Sequence, residues 1–221
     1  MLLKFQEILS DAAIGILVIS IILCLIRFNR LTFLFKILFA FLILNLFTEI
    51  AADYFWNRKM NNLPLLHVYT FCEFILFSWF YKIVLNENRW MQKYFWHFIF
   101  FVSILVIANS IFLQSIYGFN SYAKSLVQLI LISYAVIYIY SFSLKLESIN
   151  QQTHAIRRIN AAVLIYYSSS LFIFLFSNMF LINDIKIHKG FWVVNAGLNL
   201  IFQILILIAI WKVVFKPTKS I

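Results

Sequence analysis

Four glycines and two prolines in 221 residues leave this chain few places where a helix could break. Both prolines suit helix ends: Pro64 in the first turn of a helix that Asn62 would cap, and Pro217 just past the last apolar run. Charge is scarce too, at 12% of residues against roughly 25% in soluble domains. Acids are scarcest, eight against 18 Lys and Arg. A soluble fold of this length could not hide a chain that is 64% hydrophobic. The two cysteines, Cys24 and Cys72, each lie inside an apolar run with no CxxC spacing, which gives no metal or redox signal and makes them packing residues. No interval between runs exceeds about 15 residues, so no domain presents a basic stripe. The net charge of +10 therefore points to anionic lipid headgroups rather than to nucleic acid.

What the chain does have is apolar runs of the length a bilayer requires, about 17–25 residues. Seven are found, at 8–26, 31–56, 63–85, 95–113, 126–144, 159–182 and 191–215. The expected fold is all-α: a polytopic integral membrane protein, one seven-transmembrane-helix bundle over residues 1–221. There is no internal repeat or low-complexity tract. Residues 1–11 carry Glu7 and Asp11 instead of a basic leader, and no small-residue cleavage site follows, so the first run is expected to be a retained helix. Aromatic residues make up 19% of the chain; runs such as 95–101, and Tyr138 with Tyr140, suit lipid contact and packing.

Orientation follows from Lys and Arg in alternate connections. One side receives Arg27, Arg30, Lys36, Lys82, Arg89, Lys93, Lys145, Arg157, Arg158, Lys212, Lys216 and Lys219; the other receives Lys4, Arg58, Lys59, Lys124, Lys186 and Lys189. The bias places the N-terminus outside and the C-terminus in the cytoplasm, and the expected location is a bacterial inner (cytoplasmic) membrane.

Against that background three acids are out of place. Glu49, Asp53 and Glu73 lie inside spans, where a central charge costs at least ~2.5 kcal/mol and normally faces a bundle interior. Asn45, Glu49 and Asp53 are spaced i, i+4, i+8 and share one face of the second helix. The second and third helices form an outer hairpin whose facing residue numbers sum to about 120. That register sets Asp53 level with His67, and Glu49 level with Tyr69 or Thr70, with Glu73 one turn deeper. No Lys or Arg shares Glu73's helix before Lys82, so a Gln replacement is expected to spare folding and abolish function. In the last two helices Asn178 faces Asn195, and Asn195, Asn199 and Gln203 form a second polar stripe. The stripes are expected to enclose an acidic, amide-lined pocket in the outer half, with Glu73, Glu49, His67, Asp53, Tyr69, Asn45, Asn195 and Asn199 as ligand-binding candidates. Asn109 reaches a similar depth, and residues 168–170 read as interhelical hydrogen-bonding serines.

Several chemistries are poorly served by these residues. His67 and Glu73 are six residues apart, about 120° around a helix, which is awkward for one metal ion. Seven-helix hydrolases of the alkaline ceramidase and adiponectin-receptor type use three histidines and an acid; this chain has no HxxxH and one mid-helix histidine in the outer half. Microbial rhodopsins need a mid-membrane lysine in the last helix, where residues 199–203 read Asn-Leu-Ile-Phe-Gln. No cofactor is expected, a divalent metal being the weakest candidate. The first expectation is a binding or sensing module that takes a small cationic or amphiphilic ligand, or a proton, and acts through another membrane or cytoplasmic protein. The alternatives are an intramembrane enzyme acting on a lipid, with Glu73 or Glu49 and His67 as acid and base, and an accessory subunit of a membrane complex.

Overall fold

The computed structural model describes residues 2–143, 151–183 and 185–215. Seven helices account for nearly all of them: α1 Leu2–Ile26, α2 Phe33–Asn57, α3 Leu63–Val84, α4 Arg89–Ala108, α5 Ser121–Ser143, α6 Gln151–Asn183 and α7 Ile185–Phe215. All seven are long and apolar enough to cross a membrane, and the described residues contain no strand. Pro217 and the cations Lys145, Lys216 and Lys219 lie outside the described residues, as do the side chains of Asn178 and Lys186.

Most helices outrun their apolar runs. α5 begins at Ser121 where hydropathy starts at 126, and α6 begins at Gln151 where hydropathy starts at 159. Hydropathy marks the part of a helix that lipid can cover, while backbone hydrogen bonding carries the helix on until a cap or turn stops it. The caps are local. Asn88 accepts from the Met91 N–H at 3.0 Å and starts α4. At α3 the N-cap position is Asn62, but the capping bond belongs to Asn61, whose Oδ1 takes the Leu63 N–H at 2.8 Å. α2 ends in a Schellman motif: Met60 N–H reaches Phe55 O at 2.9 Å, Lys59 N–H reaches Trp56 O at 2.9 Å, and Lys59 itself is left-handed at φ 54°. α4 runs without a break into a π-helical turn, Asn109–Leu113, at its end.

The helices pack as a closed ring in the order α1, α2, α3, α5, α6, α7 and back to α1, with α4 outside it against α3. One contiguous apolar cluster fills the ring. Its centre is aromatic: Phe41 of α2 lies 4.6 Å from Phe77 of α3, Phe77 lies 5.9 Å from Tyr167 of α6, and Phe202 of α7 lies 6.2 Å from both Phe41 and Tyr167. These four rings tie four helices together at mid-height. Below, we call the end carrying the α2–α3, α4–α5 and α6–α7 connections the upper end.

Candidate functional site

Above the aromatic belt the bundle does not close. A cavity of about 180 Å³ lies among α2, α3, α5, α6 and α7, with Phe41 and Phe202 of the belt in its wall. α2 contributes Asn45, Thr48 and Glu49; α7 contributes Asn195 and Asn199; Tyr69 comes from α3, and Tyr166 and Tyr167 from α6. Phe119, Phe174 and Trp192 form a cluster with centroids 5.6–5.8 Å apart that joins the α4–α5 connection to α6 and α7 along another wall.

Glu73 does not line this space but contacts two residues that do, and it is fully buried. Its Oε2 lies 2.6 Å from Lys124 Nζ, and its Oε1 accepts from the Tyr167 hydroxyl at 2.8 Å. The Lys124 ammonium, itself 6% exposed, stands 4.9 Å from the Tyr69 ring centroid, 5.4 Å from Phe174 and 5.9 Å from Tyr167. Removing two charges from water costs several kcal/mol per ion and is offset only where the remaining lone pairs and protons are met. Here both carboxylate oxygens have donors, and the ammonium meets three aromatic faces on its other sides.

The candidates from the sequence separate into groups. Asn45, Glu49, Tyr69, Asn195 and Asn199 line the cavity, and Glu73 joins them through Lys124 and Tyr167, which line it as well. Asp53 is exposed at the upper end of α2. His67 faces away: its ring nitrogens bond Ser110 Oγ at 2.7 Å and Gly118 O at 3.2 Å, on the α4 side of α3. The level pairing of Asp53 with His67 is therefore not a contact, because equal depth says nothing about direction around the helix. The 120° between His67 and Glu73 is the figure that carries the information: one faces α4, the other α5 and α6.

Lys124 is the residue that sequence reasoning missed. Counted with the outer connections because it precedes the fifth apolar run, it lies one turn into α5 and deep in the bundle. A signal was present, since Ser121, Lys124 and Gln128 recur at three- and four-residue spacing and the same face continues through Leu131 and Ala135, all of them buried. Transferring Lys124 to the interior leaves the charge bias in the same direction.

The upper end also holds polar atoms without partners. Asn109 Nδ2 donates to Gln114 Oε1 at 3.2 Å and to Asn120 Oδ1 at 3.1 Å, while Gln114 Oε1 takes the Tyr122 N–H at 3.0 Å. The backbone donor fixes the Gln114 amide, Gln114 fixes Asn109, and Asn109 fixes Asn120. The atom left over on Asn120 is thus a donor, Nδ2, and it is buried with no partner among the described residues. Asn195 Oδ1 is an acceptor in the same position, and both residues line the cavity. Lower down, Gln128 Oε1 and, at the level of the belt, Gln203 Oε1 are also unpartnered, Gln128 giving its Nε2 to Ser170 Oγ at 2.9 Å.

No family model, curated protein or solved structure matches this chain.

The arrangement therefore has to be read from its own chemistry. Glu73 is neutralised by Lys124, whereas Glu49 has no ion-pair partner among the described residues. The cavity is left with one uncompensated carboxylate and a wall of aromatic faces. Among the described residues, no three of His, Cys, Asp and Glu come close enough to hold a metal ion.

Proposed function

We propose that the protein is an integral membrane binding or sensing module, one seven-helix transmembrane unit whose cavity takes a small cationic or amphiphilic ligand. The observation that carries this reading is the cavity of about 180 Å³ with Glu49 in its wall and aromatic rings around it. A carboxylate supplies the charge and aromatic faces supply cation–π attraction, worth about 2 kcal/mol or more when desolvated. The volume suits an ammonium-bearing headgroup or a compact amine, being slightly larger than the ~150 Å³ that accommodates benzene in an engineered cavity.

In this reading the charge bias sets the upper end outside and the C-terminus in the cytoplasm of a bacterial inner membrane, and the ligand enters from outside. Lys82 over Phe95 and Trp96, at 4.5 and 4.7 Å, is a cation anchored at the lower end in keeping with that orientation. A signal would pass to another membrane or cytoplasmic protein. The accessory-subunit reading is less favoured, because the deepest acid finds its cation within the same chain.

The test is binding of tetramethylammonium and ethanolamine to protein in nanodiscs, followed by thermal shift and native mass spectrometry. Saturable stabilisation that Glu49→Gln removes is the expected result. No shift with any cationic probe, or the same shift in Glu49→Gln, overturns the proposal. Cysteines at Arg58 and Asn86 should label from opposite sides of the membrane.

A further inference from the structure

We propose that Ser110, His67 and the Gly118 carbonyl form a second, separate site: a serine nucleophile for acyl transfer from an ester-bearing lipid. The hydrogen bonds define the protonation. A backbone carbonyl can only accept, so the Gly118 oxygen at 3.2 Å requires the proton on His67 Nε2. In the neutral ring with that tautomer Nδ1 is the acceptor facing the Ser110 hydroxyl, 2.7 Å away. The hydroxyl's other acceptor, Val106 O, is more distant at 3.3 Å. Nucleophile, base and an oriented base are the three parts such chemistry needs, with a carbonyl in the orienting role often filled by a carboxylate.

Each part comes from a different element. His67 lies on α3, Ser110 in the π turn that ends α4, and Gly118 in the connection to α5. Asn61 holds that connection to the top of α3 by donating from Nδ2 to Tyr117 O at 2.9 Å. π turns recur at functional positions because the extra residue re-aims a side chain. The site opens on a groove between α3 and α4 in whose wall His67 and Ser110 are the polar side chains. Its rim, Val68, Ile107, Ile111 and Ile116, is exposed and apolar. His67 is four residues into α3, about 6 Å below its upper end.

The chemistry balances with water as the second reactant. Ser110 Oγ attacks the ester carbonyl carbon as its proton passes to Nδ1; the Oγ–C bond forms, the ester C–O bond breaks, and the departing alkoxide recovers the proton. Water, giving its own proton to Nδ1, then frees the fatty acid and restores the serine.

The test is labelling of the full chain in nanodiscs with an alkyl fluorophosphonate, with the modified residue located by mass spectrometry. Modification at Ser110, absent in Ser110→Ala and at least tenfold slower in a folded His67→Gln, is the expected result. No labelling of the wild type, labelling that persists in Ser110→Ala, or an undiminished rate in a folded His67→Gln each overturns the proposal.

Discussion

The bundle joins α3, α5 and α6 with polar side chains at two levels, and the two are built on opposite terms. Below the aromatic belt Tyr81 donates to Asn160 Oδ1 at 2.8 Å, Asn160 Nδ2 donates to Ala135 O at 3.3 Å, and Tyr134 donates to Ser78 at 3.3 Å, with the Tyr81 and Tyr134 rings 5.3 Å apart. Every group there is neutral and none of those side chains has an orphaned polar atom. Above the belt the same helices are joined by an ion pair, beside a cavity and several unpartnered amides. A bundle that needed only interhelical hydrogen bonds could repeat the lower arrangement. The upper one spends stability on charge and open space.

The largest effect that could break this contrast is at the ion pair. Glu73→Gln or Lys124→Met alone strands a buried charge and should cost about 3–5 kcal/mol, read as a loss of thermal stability in detergent. The double variant should recover much of it, because no charge is left unpaired. Additive losses would mean that the two groups act separately. This reverses the expectation, drawn from α3 alone, that Glu73→Gln spares folding: the amide would leave Lys124 without its anion.

A smaller effect belongs to the lower level. Tyr81→Phe removes one neutral hydrogen bond and leaves Asn160 Oδ1 unmet, costing about 1–2 kcal/mol with no effect on binding at the cavity. A loss as large as that at Glu73 would erase the distinction between the levels. Glu49→Gln removes an uncompensated carboxylate and should not lower stability, while abolishing cation binding, so titration calorimetry and thermal melts should disagree about its importance. Smallest, and opposite in sign, Lys59→Gly should stabilise by about 0.5–1 kcal/mol, since the left-handed position at the end of α2 penalises any side chain.

Much of the fold is legible in the sequence because lipid imposes a length and a polarity on each span, and both are visible residue by residue. The site is legible only in part. The α2 and α7 stripes lie on helical faces, which spacing reveals, and Asn45, Glu49, Asn195 and Asn199 all reach the cavity. Lys124 was concealed because its span looks shorter by hydropathy than the helix is. His67 looked like a partner of Asp53 because hairpin arithmetic gives height but not azimuth. Tyr166 and Tyr167 could not be told from the many other tyrosines until Glu73 and Asn195 stood near them.

The ion pair has a consequence for how the protein is made. Glu73 and Lys124 are 51 residues apart, and at ~5–20 residues per second of synthesis α3 must wait roughly 3–10 s for the cation that neutralises it. The Tyr167 donor, 94 residues away, arrives later still. Throughout that interval α3 carries an acid without its counter-ion, so the insertion machinery has to hold it beside water or protein until α5 emerges. Chains stalled between the two helices should cross-link to that machinery through α3, and chains released past α5 should not.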